Sequence, residues 1–288
     1  MRQSKGERIF GVCNNIFLIL LGLICLLPYV NLLAKSFSSE AYVVRGDVLF
    51  WPIGANMKAY KVLISSTTFG IAFKNTVLMT VVGTIVQVFF TLCVGYVCSK
   101  DKLPFSRAIT RMYVFAMLFS GGMIPTYMVI KGTGVMNTIW AMILPGMVGS
   151  FNMFMARNYF YTIPESLEES AKIDGASNLH IFFSIMLPMA IPSVATITIF
   201  TAVGLWNNYM GPLMYMTRND TKVLSVYLKD IITASNMQSL EGTENFQSVA
   251  TESFRAAAIF VSTIPILVVY PFLQKYFIVG MKIGSVKG

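Results

Sequence analysis

Six stretches of this chain carry no Asp, Glu, Lys or Arg: 9–34, 75–99, 112–130, 132–156, 175–217 and 256–274. Each is long enough for the about 18–20 residues an α-helix needs to cross the hydrocarbon core of a bilayer, whereas a buried helix of a soluble domain rarely needs more than about 14. With 55% hydrophobic and only 12% charged residues, the chain reads as an all-α integral membrane protein. The expected spans are 12–34, 75–98, 112–130, 137–157, 183–207 and 256–275, within a single domain covering 1–288. Arg2, Lys5 and Arg8 precede the first run as in a secretory signal, but its apolar stretch is too long and its cleavage-site chemistry poor, so it is read as a span.

A formal net charge of +9 raises the question of nucleic acid. No basic cluster with interleaved aromatics accompanies it; the cations punctuate the apolar runs, as juxtamembrane Lys and Arg do. Cys13, Cys25, Cys93 and Cys98 all lie inside apolar runs without ligand-like spacing and read as small apolar residues. Short-loop cations fall before the first span, between the second and third (Lys100, Lys102, Arg107) and after the sixth (Lys275, Lys282, Lys287). The positive-inside rule then puts both termini in the cytoplasm, with 35–74 and 208–255 outside.

Helix breakers are frequent in the apolar runs: Gly121, Gly122 and Pro125, Pro145 and Gly146, Pro188 and Pro192, Pro265 and Pro271. Broken helices at membrane depth suit a transport path, although proline and glycine are also ordinary in membrane helices. In the outer loop, Leu224, Leu228 and Ile231 fall at helical spacing within 221–236, which predicts an amphipathic helix lying on the outer membrane face.

The acids are distributed unevenly. Glu165, Glu168, Glu169 and Asp174 crowd into one short segment, 162–180, in the connection between the fourth and fifth expected spans. Thr162 and Glu165 have the spacing of a capping box, Pro164 suits the first helical turn, and the acids favour the positive end of a helix. Gly175 can end that helix in the left-handed conformation, and Ser177 can cap a second one. Ser170, Ala171 and Ala176 are small enough to let another backbone approach. Adjacent Glu168 and Glu169 point in different directions on a helix, and His180, the one histidine of the chain, stands alone. The segment is built for contact rather than catalysis.

The pattern EESAKIDGASNLHIFFSIMLP (168–188) resembles the signature of binding-protein-dependent ABC importer permeases, with Glu169, Ser170, Ala171, Gly175, Ile185, Leu187 and Pro188 at its positions. Ser170 stands where alanine is commoner. IDGAS (173–177) is the form typical of the carbohydrate-uptake branch, and stretches at 121–145, 206–216 and 270–288 are similar to permeases of the aldouronate and larger-oligosaccharide type.

The resemblance implies a type I importer permease fold, in which the acidic segment is a coupling helix seated in a cleft of an ATPase. Glu168, Glu169, Ser170, Ala171, Asp174, Gly175 and Ala176 would then carry the coupling, and the tail with Lys287 would reach toward the ATPase dimer. ATP and Mg belong to that partner, since this chain has no phosphate-cradling Gly-rich loop with Lys and Ser/Thr. The implied assembly comprises a second homologous permease, two ATPase copies and an extracytoplasmic sugar-binding protein in a prokaryotic cell membrane, with oligosaccharide and lipid as partners and nucleic acid as none. Oligosaccharides need amides, hydroxyls and aromatic faces, so Gln87, Asn152, Trp206, Asn207, Asn208 and Tyr209 are candidates for the substrate path. An interfacial aromatic belt and interhelical hydrogen bonds would account for the same residues. The competing class is an ion-coupled carrier or channel acting without an ATPase; such carriers usually place ionisable groups within their spans, and the expected spans contain no acid.

Overall fold

The structure, a computed structural model, describes residues 5–234 and 252–285, and these are helical with no strand. Three of the helices are long and apolar enough to cross a membrane: Gly6–Phe37 within α1 (Lys5–Phe37), α4 (Thr67–Cys98), and Glu252–Pro271 within α15 (Glu252–Ser285). At 1.5 Å per residue, the 32 residues of α4 extend about 48 Å, ample for a core of about 30 Å.

The expected third, fourth and fifth spans are not single straight helices. The third is divided into α5 (Ser106–Leu118) and α6 (Met123–Gly132), separated by a turn in which Gly122 takes a φ of 87°. The fourth contains the short α7 (Trp140–Ile143), a non-helical stretch over 144–149, and α8 (Ser150–Tyr161). Neither α5 nor α8 alone reaches the length of a crossing. In place of the fifth come α10 (Asn178–His180), a π-helical turn over Ile181–Met186, α11 (Leu187–Met189) and α12 (Ile191–Trp206). The two halves meet at 81°. Pro192 explains the location of that bend: it has no N–H to give residue 188, and its ring would strike that carbonyl in a straight helix. Ala190 accordingly leaves helical geometry at φ −86°, ψ 6°.

Two compact units emerge. One takes the chain up to Gly70 together with Tyr227–Pro265; the other takes Ile71–Val226 together with the chain from Ile266. In the first, α2 (Glu40–Arg45) and α3 (Lys58–Ser65) follow α1, and Val48 is buried with Ala34 and Val43. The Glu40 carboxylate accepts the backbone N–H of Glu252 (2.8 Å) and Ser253 (3.0 Å) and the Ser253 hydroxyl (2.6 Å). It thereby satisfies donors that the first turn of α15 cannot pair internally and puts negative charge at the positive helix end.

The second unit holds two apolar clusters. One gathers Phe160, Ile181, Phe182, Met186 and Ile197; the other gathers Met79, Met142, Tyr215 and Val223. Gly95 of α4 lies so close to α8 that a Cβ there would stand 2.6 Å from the Ala156 Cβ and 3.1 Å from the Arg157 nitrogen. The predicted amphipathic helix is present as α14 (Leu224–Ala234), but its stripe is turned largely into the protein, with Leu228 half-buried. Leu224 and Ile231 are buried within the protein, and the Leu224 N–H donates to the Thr76 hydroxyl at 2.8 Å. An apolar stripe specifies only that one face leaves water, and protein has covered it here. Residues 235–236 of that expected element lie outside the described residues.

Candidate functional site

The acidic segment folds as α9 (Glu165–Ile173) followed by a tight turn. The predicted capping box does not form. Thr162 remains in the last turn of α8, where its hydroxyl donates to the Tyr159 carbonyl (2.7 Å), and Pro164 occupies the cap position. Glu165 is engaged by Lys102, whose Nζ stands 2.6 Å away. The other end follows the local chemistry expected of it. Gly175 adopts φ 81°, its N–H donates to the Lys172 carbonyl (3.1 Å), and the Ala176 N–H reaches back to Ala171 (2.9 Å), which together make a Schellman closure. The Ser177 hydroxyl accepts the His180 N–H at 3.3 Å and caps α10.

The faces of α9 divide the expected coupling residues. Glu168 and Ala171, three apart and so on one face, turn inward. Ala171 joins the cluster around Phe160 and Ile181, while Glu168, only 4% exposed, pairs with Lys100. The Lys100 Nζ also sits 5.0 Å from the centre of the Tyr96 ring. Glu168 and Ala171 are thus buried against the body of the protein. Glu169, Ser170, Asp174 and Gly175 remain on the open side, and Ala176 is half-buried. Lys287 lies outside the described residues.

Apolar residues complete the outward surface, and a reading centred on the acids passes over them. Ile173 is 86% exposed and Leu179 71%, and Leu167 is exposed as well. The signal is present in the chain: two large aliphatic residues flank the glycine turn of a segment otherwise made of charged and small residues. Lys100 and Lys102, which the sequence offers only as topogenic cations, both tie the 99–105 connection to α9. The Lys102 ammonium, hydrogen-bonded to Glu165 and opposite to it in charge, holds that carboxyl below the usual carboxylate range. The ammonium is itself pushed up, by the same hydrogen bond first.

A second feature lies among α4, α8, α12 and α13 (Met210–Tyr215), where a cavity of about 440 Å³ opens. Of the substrate-path candidates, Gln87, Asn152 and Asn208 line it; Trp206, Asn207 and Tyr209 do not. Trp206 packs edge-on against Phe73 at 6.3 Å, Asn207 is exposed, and Tyr209 packs on the Met79 cluster. The Gln87 amide donates to the Ile143 carbonyl (3.1 Å), which the interruption after α7 frees, and keeps its own oxygen for another partner. Asn152 donates to the Thr201 hydroxyl at 3.3 Å. None of the lining side chains is charged, so this wall offers amides, hydroxyls and the Phe200 ring. Among the described residues no group of three or more His, Cys, Asp or Glu is placed to hold a metal ion.

Residues 95–283 match the family described as "Binding-protein-dependent transport system inner membrane component", a stretch that includes α9 and most of the cavity wall. Protein LplC of Bacillus subtilis is 40% identical across 100% of this chain and 98% of its own length. The polygalacturonan/rhamnogalacturonan transport system permease protein YtcP of the same organism is also 40% identical, covering 98% of this chain and 99% of its own. A chain from the crystal structure of a bacterial ABC transporter involved in the import of the acidic polysaccharide alginate superposes with a TM-score of 0.87 at 31% identity, covering 96% of this chain and 99% of that one. The chain belongs to the family of inner membrane components of binding-protein-dependent transport systems.

Proposed function

We propose that this permease imports oligosaccharides and takes its power stroke through α9 and the turn that follows it. The observation that carries the reading is the division of that segment: one face is locked to the body through Glu168 and Ala171, while Glu169, Ile173, Asp174 and Leu179 are presented outward. A lever must be rigid on its own side and open on its partner's side. In this reading Glu169 meets a cation of an ATPase subunit, while Ile173 and Leu179 fill an apolar part of its cleft. ATP and Mg stay on that subunit, and closure of the ATPase dimer moves the segment and with it the helices it is anchored to.

The remaining architecture follows the same reading. The broken elements α5 with α6, α7 with α8, and α10 through α12 each make one crossing, which gives six spans in one permease domain with both termini in the cytoplasm. A second homologous permease, two ATPase copies and an extracytoplasmic sugar-binding protein complete the assembly. Support for the cargo comes from relatives named for polygalacturonan/rhamnogalacturonan and arabinooligosaccharide transport, and from a cavity wall of amides and hydroxyls suited to sugar hydroxyl groups.

The test is Ile173→Asp beside Glu169→Lys. Because both side chains are exposed, each variant should insert and fold normally, keep the slow amide exchange of α9, and lose ATPase co-purification and uptake. Full ATPase recovery with normal uptake in both would remove α9 from the coupling role.

A further inference from the structure

The segment that follows α2 is fixed to α1 at two heights. Near the end of α1, the Asn31 side-chain amide donates to the carbonyls of Val48 (3.1 Å) and Leu49 (2.7 Å). Further along, the Ile53 N–H donates to the Ser38 hydroxyl (3.0 Å), the Ser39 N–H to the Ile53 carbonyl (3.0 Å), and the Asn56 N–H to the Phe37 carbonyl (2.8 Å). Val48 plugs inward against Ala34 and Val43. The residues between the two attachments then turn outward: Leu49, Phe50, Trp51 and Ile53 are all exposed, Trp51 by 82%. Four large apolar side chains held open by five hydrogen bonds are a built surface.

The helix supplies a depth scale. No charge occurs in α1 between Arg8 and Lys35. Asn31 precedes Lys35 by four residues, about 6 Å along the axis at 1.5 Å per residue. The Asn31 attachment therefore draws Leu49 and Phe50 to the apolar side of the first charge at this end of the span, while the Ser38 attachment keeps Ile53 at its rim. Trp and Tyr are favoured at that level because the ring body is apolar and the indole N–H can still reach headgroup or water.

We propose that residues 49–53 form an anchor that inserts into the lipid interface at the Lys35 end of α1, with Trp51 at acyl–headgroup depth. The anchor rests on α1 being a membrane span. It fixes the height of the first unit in the leaflet, so that α2, which begins at Glu40, is held at a set level over the bilayer.

The test reconstitutes the complete importer in nanodiscs with a nitroxide at one position of this chain at a time: Trp51→Cys, Leu21→Cys in mid-α1, and Lys58→Cys, which follows the Asn56 attachment beyond the helix end. Cys13, Cys25, Cys93 and Cys98 are replaced in the background. Collision with oxygen, which concentrates in lipid, should exceed collision with a water-soluble nickel chelate several-fold at position 51, and the ratio should invert at position 58. If position 51 follows position 58, or is shielded from both reagents, the anchor is wrong. Nickel access at position 21 would instead defeat the span itself, so the two failures are distinct. Should the background fail to fold, a photo-crosslinking amino acid in place of Trp51 in the native-cysteine chain reports on the same contact. A lipid adduct is the expected product, and a protein adduct or none overturns the proposal.

Discussion

Removing either partner of the Lys100–Glu168 pair should loosen α9, but to unequal extents. The Glu168 side chain is 5% exposed and that of Lys100 is 21% exposed. Lys100→Ala strands a carboxylate that cannot reach water without moving the helix, and breaking a buried pair in this way costs about 3–5 kcal/mol. Glu168→Ala leaves a lysine with a flexible stem and partial access to solvent, so it can swing outward and rehydrate; the loss is then nearer one charged hydrogen bond, about 1.5–3 kcal/mol. The readout is amide hydrogen exchange across residues 165–176 in nanodiscs, where every 1.4 kcal/mol of opening free energy is about tenfold in rate. Lys100→Ala should accelerate exchange by about a hundredfold or more, and Glu168→Ala by roughly ten times less than that. A paired replacement, Lys100→Met with Glu168→Leu, removes both charges and should restore most of the protection, since apolar replacement of buried pairs is often neutral. If Glu168→Ala is as damaging as Lys100→Ala, or if the paired replacement shows the summed defect of the single changes, the pair is not a strut.

Gly95→Ala should force α4 from α8, because the new methyl would meet the Ala156 Cβ at 2.6 Å and backbone beyond it; a cost of about 1–3 kcal/mol is expected as a lower Tm in detergent. Gly175→Val should cost at least about 1–2 kcal/mol through its φ of 81° alone, since a Cβ there meets no neighbour, and the measurement is loss of α9 end protection in the same exchange experiment. The Lys102–Glu165 contact should be indifferent to pH across the neutral range. Glu165 is depressed, so its contribution is complete above its unfolded pKa of about 4.3 and is lost as pH falls through its lower folded value. Lys102 is raised, so its contribution is complete below about 10.4 and is lost as pH rises through its higher folded value. Exchange of the 99–105 amides, followed from about pH 5.5 to about pH 9, a window between those two unfolded values, and corrected for intrinsic rates, should be flat. A step within that window would contradict the assignment.

What can be read from the chain is what local chemistry decides. Gly175 and Ser177 behave as their types suggest because a left-handed turn and an N-cap depend on a few neighbouring atoms. Glu168 and Glu169 cannot be sorted that way, since the inward side of α9 is set by Lys100, a residue 68 positions away from Glu168. The apolar runs announce membrane helices but not their continuity: a run free of charge is compatible with α4, which is unbroken, and with the bend at Ala190. Asn208 lines the cavity while its neighbours Asn207 and Tyr209 do not, because the chain leaves α12 there and successive side chains diverge. The stripe of α14 shows the same limit in a membrane protein, where lipid and protein interior ask for similar side chains.

The cap that Glu40 places on α15 has a consequence for biogenesis. Donor and acceptor are separated by 212 residues, with four of the apolar runs counted in the sequence lying wholly between them. At translation rates of about 5–20 residues per second, Glu40 emerges about 10–40 s before its partners exist. During that interval the carboxylate has only solvent or an insertion factor to satisfy it, and the first unit lacks the later part of its chain. The amino-terminal helix can be inserted early, but its unit can close only after the intervening helices have been laid down. A ribosome stalled shortly before residue 252 would therefore leave a permease whose beginning is in the membrane and unfinished.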